Sequence, residues 1–154
     1  NADMTAGKTA LRAGAYEAAE TIFTHLSESG MSDAFIYRGV GRSAQGKTAE
    51  EQMKIEGQRL FEKAKGCIIV LDGRGKELSS EGLADFIAKK CVEGDGEFSF
   101  LIGGSHGHND ETRSKAILVL SFSKMTFPHQ MFRLMLAEQI YRALTINAGM
   151  PYHK

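Results

Sequence analysis

One stretch of the chain, ILVLSFSKMTFPHQMFR at residues 117–133, predicts a strand, a loop and a helix in direct succession. Residues 117–120 are apolar and too few for an independent helix, which favours a buried strand. Pro128 favours a helix start, because its ring fixes φ near the helical value and it lacks an N–H group that the first turn would leave unpaired. Apolar residues then recur at helical spacing, at Phe132, Met135, Leu136, Ile140, Ala143 and Leu144. Ligands of α/β proteins bind beyond the carboxyl ends of strands, so residues 121–127 are the expected site.

The rest of the chain alternates strand and helix patterns, which predicts an α/β fold with a parallel sheet and helices on both of its faces. Short apolar runs predict the further strands, at residues 34–38, 67–71 and 98–102. Helical spacing and capping residues predict helices at residues 15–28, from Thr48 to residue 65, from Ser79 or Ser80 to residue 91, and at residues 110–116. Residues 39–47 are expected as a glycine-rich solvated loop, and residues 1–14 as an irregular start, an edge segment or an added sequence.

Composition and charge limit the classes of partner. The chain has 154 residues, with 19 basic and 19 acidic side chains. We expect a single domain over residues 1–154, long enough to bury about two thirds of its unfolded surface. A formal charge of zero excludes a strong overall attraction to nucleic acid or to a membrane. From residue 105 onward, six Lys and Arg stand against three acids, so a local basic face and an evenly solvated surface both remain open.

Two cysteines and the lack of targeting patterns bear on the compartment. Cys67 and Cys91 have neither Cys-x-x-Cys nor Cys/His metal spacing, and Cys67 opens an apolar run as a small buried hydrophobic residue would. No apolar stretch approaches about 18 residues and no signal-peptide pattern occurs, so we expect a cytoplasmic protein without a membrane partner. A disulfide is the less favoured use of the two cysteines there.

Three loops follow three of the predicted strands, at residues 72–76, 103–108 and 121–127. If the strands are parallel neighbours, these loops meet at one edge of the sheet, and the paired glycines Gly103 and Gly104 allow a close backbone approach to a ligand. A dinucleotide site is disfavoured, because the glycines come late in the chain and no acid follows about 20 positions later.

Metal and hydrolase chemistry are also disfavoured. His106 and His108 lack a carboxylate or cysteine to complete a metal site, although Asp110 is near, so we predict no metal and two solvent-exposed loop histidines. No Gly-x-Ser-x-Gly motif supports a serine hydrolase. No Walker-type phosphate loop is present either.

The end of the chain combines aromatic and cationic residues, namely Tyr141, Arg142, Tyr152, His153 and Lys154. Aromatic faces stack on bases and Arg or Lys binds phosphate, as is typical of contacts with RNA. The competing interpretation places Tyr141 in the core and leaves the terminal residues frayed. Residue chemistry alone leaves both interpretations open.

Four motifs occur in order, LIGGSHG at residues 101–107, LSFSKMTFPHQ at 120–130, AEQIYRA at 137–143 and PYHK at 151–154. Together they resemble the ribosomal RNA large subunit methyltransferase H family, small members of the SPOUT class of S-adenosylmethionine-dependent methyltransferases. The resemblance is dense from about Thr48 to the end and includes Leu71-Asp72-x-x-Gly75-Lys76 and LSSE at 78–81. The family opens with an apolar strand ending in Val-Gly-Lys, whereas this chain has only Ala6-Gly7-Lys8 after a polar stretch.

The resemblance implies a SPOUT-type parallel sheet flanked by helices, with a C-terminal trefoil knot, in a homodimer. The activity implied is methyl transfer from S-adenosylmethionine to N3 of a pseudouridine in large-subunit (23S) ribosomal RNA of the assembled ribosome. The cofactor-binding positions implied are Leu71, Gly103, Phe122, Ser123, Lys124, Met125, Thr126 and Phe127.

Methylation at N3 requires the loss of a proton, and the end of the chain offers suitable groups. His153 is the candidate base, since imidazole titrates near neutrality. Arg142 is the candidate for stabilising negative charge on the uracil oxygens, Tyr152 for stacking on or orienting the base, and His129 for shaping the loop. A catalytically inactive ribosome-binding module of the same fold is the alternative. A third hypothesis, a nucleotide-binding oxidoreductase, is supported only by the glycine-rich loop at residues 103–108.

Overall fold

A computed structural model describes residues 33–38 and 48–154. Its strands are β1 (Asp33–Arg38), β2 (Cys67–Glu77), β3 (Glu97–Ile102) and β4 (Leu118–Ser121). Its helices are α1 (Ala49–Lys63), α2 (Ser80–Val92), α3 (Asp110–Ser114) and α4 (His129–Asn147). The strands form one sheet in the order β1-β3-β2-β4, and every pairing is parallel. The predictions for residues 1–14, 15–28 and 39–47 lie outside the described residues.

The α/β prediction is confirmed, with helices on both faces of the sheet. Successive residues of β2 point to opposite faces, so Ile69 and Val70 are both fully buried but belong to different cores. One core joins the sheet to α2 and α4, for example through Leu83 and Ile140. The smaller core lies under α1 and contains Leu60.

The prediction for residues 72–76 is wrong in part. We expect a turn-forming loop after Leu71, whereas β2 continues to Glu77. Leu71 and Lys76 both pair with Leu120 of β4, so residues 72–75 form a bulge in an otherwise continuous strand. The glycines that suggest a loop are compatible with this bulge, because close contact with the neighbouring strand leaves no room for a side chain at Gly75.

The N-terminus of α1 is capped by side chains, whereas the N-terminus of α4 has no side-chain cap. Thr48 is the N-cap of α1, as predicted, and forms a capping box in which its side chain accepts from the N–H of Glu51 and the Glu51 carboxylate accepts from the N–H of Thr48. Pro128 is an N-cap with ψ of 136°, so α4 begins one residue later than predicted. The proline ring restricts φ but leaves ψ free to be extended.

The end of α4 turns the chain back towards the body of the protein. Gly149 has a φ of 66°, and its N–H donates to the carbonyl of Ile146 at 3.0 Å. The N–H of Met150 donates to the carbonyl of Thr145 at 2.9 Å, which completes a Schellman motif. The terminal residues therefore run back along α4.

Cys67 is buried as predicted, and both cysteines are free thiols. Burial raises the pKa of Cys67 to about 11, so its thiol is uncharged at neutral pH. Among the described residues, no helix is both long enough and apolar enough to cross a bilayer.

Candidate functional site

A cavity of about 360 Å³ opens at the carboxyl ends of β3 and β4 and beside the bulge of β2. Its walls come from the bulge at residues 72–75, from the glycine loop at residues 103–108, and from the loop between β4 and α4. The strands are parallel and adjacent, which is why these three segments meet. All eight predicted cofactor positions line this cavity: Leu71, Gly103, Phe122, Ser123, Lys124, Met125, Thr126 and Phe127.

The glycines of the glycine loop allow it to close on itself. A Cβ atom on Gly103 would lie 2.8 Å from the backbone of Gly107, which has a φ of 75°. The N–H of Gly107 donates to the carbonyl of Gly104 at 3.1 Å. A Cβ atom on Gly104 would meet the Glu56 carboxylate of α1 at 2.3 Å. These two glycines therefore make room for neighbouring protein atoms, not only for a ligand.

The loop between β4 and α4 is fastened to the bulge. The Nζ of Lys124 donates to the carbonyl of Gly73 at 3.4 Å. The Ser121 hydroxyl lies 3.2 Å from the carbonyl of Ser123, and the Oγ of Ser123 accepts from the N–H of Met125 at 3.0 Å. The Lys124 side chain thus bridges two walls of the cavity.

One side of the cavity is aromatic. Phe122 and Phe127 both pack against Phe132 of α4, with ring centroids 5.1 Å and 6.2 Å from its ring. All three rings line the cavity, and Leu71 and Leu120 extend its apolar surface. Flat apolar surface beside backbone polar groups is the environment that a cofactor with an adenine ring requires.

The two histidines of the glycine loop lie in different environments. His106 is exposed as predicted, whereas His108 is buried and the prediction for it is wrong. Its Nε2 lies 3.2 Å from the carbonyl of Leu101, and this partner makes burial of the ring possible. Burial lowers the pKa of His108, so it is neutral at neutral pH. Among the described residues, no group of three His, Cys, Asp or Glu side chains is placed to bind a metal.

The three predicted catalytic residues lie together, but apart from this cavity. Arg142 donates from Nε to the Glu138 carboxylate at 3.0 Å, and Tyr152 donates its hydroxyl to the same oxygen at 3.1 Å. His153 lies with Nδ1 3.2 Å from Arg142 and with Nε2 2.8 Å from the Glu81 carboxylate of α2. None of the three predicted residues lines the cavity.

Hydrogen bonds shift the pKa values of three side chains here, Tyr152, Arg142 and Glu81. The hydrogen bond to Glu138 raises the pKa of Tyr152, so the phenol stays protonated at neutral pH and donates. The same carboxylate raises the pKa of Arg142. The pKa of Glu81 falls to about 2, because its own backbone N–H and His153 donate to the carboxylate.

The interpretation that the terminal residues fray is wrong. The guanidinium of Arg142 lies 4.8 Å from the ring centre of Tyr152, which contacts Tyr141 edge-on at 4.8 Å. Sequence reasoning missed Glu138, the acid that organises this cluster. The available signal was the i, i+4 spacing of Glu138 and Arg142, which places both on one side of a helix.

Glu138, Tyr141, Arg142, Tyr152 and His153 form an aromatic–cationic cluster. It is next to a second cavity of about 430 Å³, which is lined in part by Glu138. This cavity lies between α2 and α4 and shares Leu120 and Phe122 with the first. Two exposed apolar side chains lie nearby on α4, Met131 at 53% and Leu134 at 72% exposure. Both side chains leave apolar surface facing solvent.

The sequence from residue 14 to residue 153 matches a family described as predicted SPOUT methyltransferase. The chain belongs to the SPOUT methyltransferase family. The match includes the lining of the cavity and the whole aromatic–cationic cluster. The family therefore assigns methyl transfer as the activity of this protein. SPOUT methyltransferases generally use S-adenosylmethionine as the methyl donor.

Proposed function

We propose that this methyltransferase carries a methyl group from S-adenosylmethionine to N3 of a pseudouridine in large-subunit ribosomal RNA of the assembled ribosome. The observation that supports this most is the meeting of three motif-bearing segments, residues 71–76, 101–107 and 120–130, around one cavity of about 360 Å³. A ribosomal substrate also implies a cytoplasmic location. The proposal for the RNA substrate rests on the motif resemblance, together with the aromatic and cationic groups at the end of the chain.

The cavity suits the cofactor by shape and by chemistry. Its volume falls within the range of about 300–1,000 Å³ that is usual for small-molecule sites. Leu71 and Phe122 offer apolar surface for the adenine, and the backbone of Gly103 and of residues 123–127 offers donors and acceptors. The cofactor supplies an activated methyl group, so the protein has to bind it, orient it and keep water away.

The aromatic–cationic cluster is proposed to act on the RNA base. His153 accepts the N3 proton, Arg142 stabilises negative charge on the uracil oxygens, and Tyr152 orients the ring. The protonated phenol and the charged guanidinium suit the last two roles. A His153→Ala variant should lose most single-turnover methylation, and wild-type rates in this variant would remove His153 as the base.

We further propose a homodimer, in which the cluster of one chain completes the cofactor cavity of the other. Two observations support it: the cluster does not line the cavity of its own chain, and Met131 and Leu134 expose apolar surface on α4. A Leu134→Glu variant should sediment as a monomer and lose methylation. A dimer that is unchanged in this variant would contradict the use of this surface. The exposed Val92, changed to Glu, is the matched control.

The trefoil knot of the family is part of the same proposal. The contacts of Ser121 and Lys124 with the bulge of β2 are consistent with a C-terminal segment passing close to that bulge. An experimental structure traced through residues 72–147 tests it, and an unknotted path of the chain would refute it.

The decisive experiment measures transfer of labelled methyl from S-adenosylmethionine to ribosomes from cells that lack the activity, followed by mapping of the modified base. We expect one pseudouridine to be labelled, and extracted RNA to be a poor substrate, because a neutral chain has little electrostatic attraction to bare RNA. Equal rates on both substrates would contradict recognition of the assembled ribosome. Calorimetry that shows no binding of S-adenosylmethionine would favour the inactive ribosome-binding module instead.

A further inference from the structure

We propose that Asp72 and Arg113 are positioning residues, which together hold the glycine loop against the bulge of β2 and so set the shape of the cofactor cavity. The effect on cofactor affinity rests on the proposed function, whereas the effect on the loop does not. Arg113 itself does not line the cavity, so it acts through the loop and not by contact with a ligand.

The two side chains form a largely buried ion pair. The Arg113 side chain is 15% exposed and the Asp72 side chain 7%, and Nη1 of Arg113 donates to Oδ2 of Asp72 at 3.1 Å. The same Nη1 lies 2.5 Å from the carbonyl oxygen of His108, and Nη2 pairs with Asp110. One guanidinium therefore joins the bulge, the end of the glycine loop and the start of α3.

Arg74 strengthens the same junction from the bulge. Its backbone N–H donates to Oδ1 of Asp72 at 2.9 Å, and its Nη2 donates to the carbonyl of His108 at 3.2 Å. The His108 carbonyl thus accepts from two guanidinium groups. Burial would raise the pKa of Asp72, but hydrogen bonds from Arg74 and Arg113 outweigh burial and lower it, so the carboxylate is charged.

The glycine loop needs such an anchor. Glycine loses more conformational freedom on folding than any other residue, and three of the five residues from Gly103 to Gly107 are glycines. Ordering the loop before a ligand arrives removes part of the entropy cost from the binding step. The junction at His108 lies one residue beyond the last glycine, where it can restrain the loop directly.

The test compares Arg113→Gln and Arg113→Lys with the wild-type protein and with Lys115→Gln as the matched control. Lys115 is on the surface at the end of α3, where it pairs with Glu111 across one turn and lies over the Phe61 ring of α1, so its change removes these contacts without touching the loop. The first readout uses no ligand: amide hydrogen exchange at Gly107, whose N–H bonds to Gly104. The second readout is the dissociation constant for S-adenosylmethionine from calorimetry.

We expect Arg113→Gln to speed exchange at Gly107 by a larger factor than exchange at Ile69 and Phe100 in the core, which reports the loss of overall stability. We expect affinity for S-adenosylmethionine to fall by about tenfold or more, the scale of one charge-assisted hydrogen bond, with partial recovery in Arg113→Lys. Exchange that rises equally at all three amides would show a general loss of stability and overturn the proposal. Unchanged exchange at Gly107 would overturn it as well.

The experiments can contradict the proposed cofactor and the proposed anchoring of the loop independently of each other. If wild-type protein does not bind S-adenosylmethionine, the proposed function is wrong, while faster exchange at Gly107 in Arg113→Gln still supports the positioning role. A second outcome is that wild-type protein and Arg113→Gln bind S-adenosylmethionine equally well, while exchange at Gly107 is faster in the variant. The loop is then anchored as proposed, but its order does not control affinity, and the part of the proposal that concerns the cofactor is overturned. Asp72→Asn should reproduce the effects of Arg113→Gln, and the double variant should add little, because both changes break one junction.

Discussion

Gly75 shows at the scale of one residue how closely β2 and β4 approach. A Cβ atom at this position would lie 2.5 Å from the carbonyl oxygen of Val119 and 2.9 Å from the carbonyl carbon of Leu120. These are backbone atoms, which cannot rotate away as the end of a side chain can. Gly75→Ala should therefore lower the free energy of unfolding by about 1–3 kcal/mol, as overpacking usually does.

Urea unfolding at neutral pH measures the effect of Gly75→Ala. Gly73→Ala is the matched control, because it lies in the same bulge and its Cβ would come no closer than 3.7 Å to Ser123. Equal stability losses in the two variants would contradict a specific clash with β4.

His108 and Glu138 show why single residues are difficult to assign from sequence. A histidine between Gly107 and Asn109 is typical of an exposed turn, yet the carbonyl of Leu101 satisfies its ring inside the protein. Glu138 lies in α4, and the sequence predicts this helix from the spacing of its apolar residues. Its importance depends on Tyr152, which the Schellman turn brings back to it from 14 residues further along the chain.

At the scale of elements, α1 depends on its N-terminal cap. The Thr48 hydroxyl and the Glu51 carboxylate satisfy each other's backbone N–H groups, and Gly57 and Leu60 are the only buried residues of α1. Thr48→Ala should lower the free energy of unfolding by about 1 kcal/mol, because it leaves an N–H group of the first turn without its partner. Thr48→Ser should retain nearly wild-type stability in the same urea titration. A serine variant as unstable as the alanine variant would show that the methyl group, not the cap, is what matters.

Strands and long helices are the elements that sequence predicts best in this chain. Cys67 to Leu71 is a continuous apolar run, and it forms the first half of β2 as predicted. The continuation to Glu77 is not visible in local pattern, because β4 supplies the pairing partners through Leu120 and Ser121. Polar, glycine-rich residues form strand there only because a neighbouring backbone is in place.

At the scale of the whole molecule, acid should destabilise the fold through carboxylates that have partners. The pKa of Asp72 is lower in the folded protein than its ordinary value of 3.8, and that of Glu81 is lowered from 4.5 to about 2. As pH falls, the unfolded chain takes up these protons first, so stability is present above about pH 4.5 and is lost from there towards pH 2.

Asp72→Asn tests the contribution of one of these carboxylates. The variant should be less stable than wild type at neutral pH, and the difference should shrink as pH falls below 3.8, where wild type also loses the charge. Urea midpoints measured from pH 7 to pH 2.5 give this difference. A gap that stays constant over the whole range would mean that the ionisation of Asp72 does not contribute.

Sequence alone determined the α/β class, the three segments that meet around the cavity, and the capping of α1 by Thr48. Such features depend on hydrophobic period and on neighbours a few residues away, and both are visible in a linear chain. Only the tertiary structure decided which distant residues meet: Asp72 with Arg113, 41 positions apart, and Glu81 with His153, 72 apart. The physical reason is that these pairs follow from strand order and from the return of the chain after α4. No local pattern encodes that geometry.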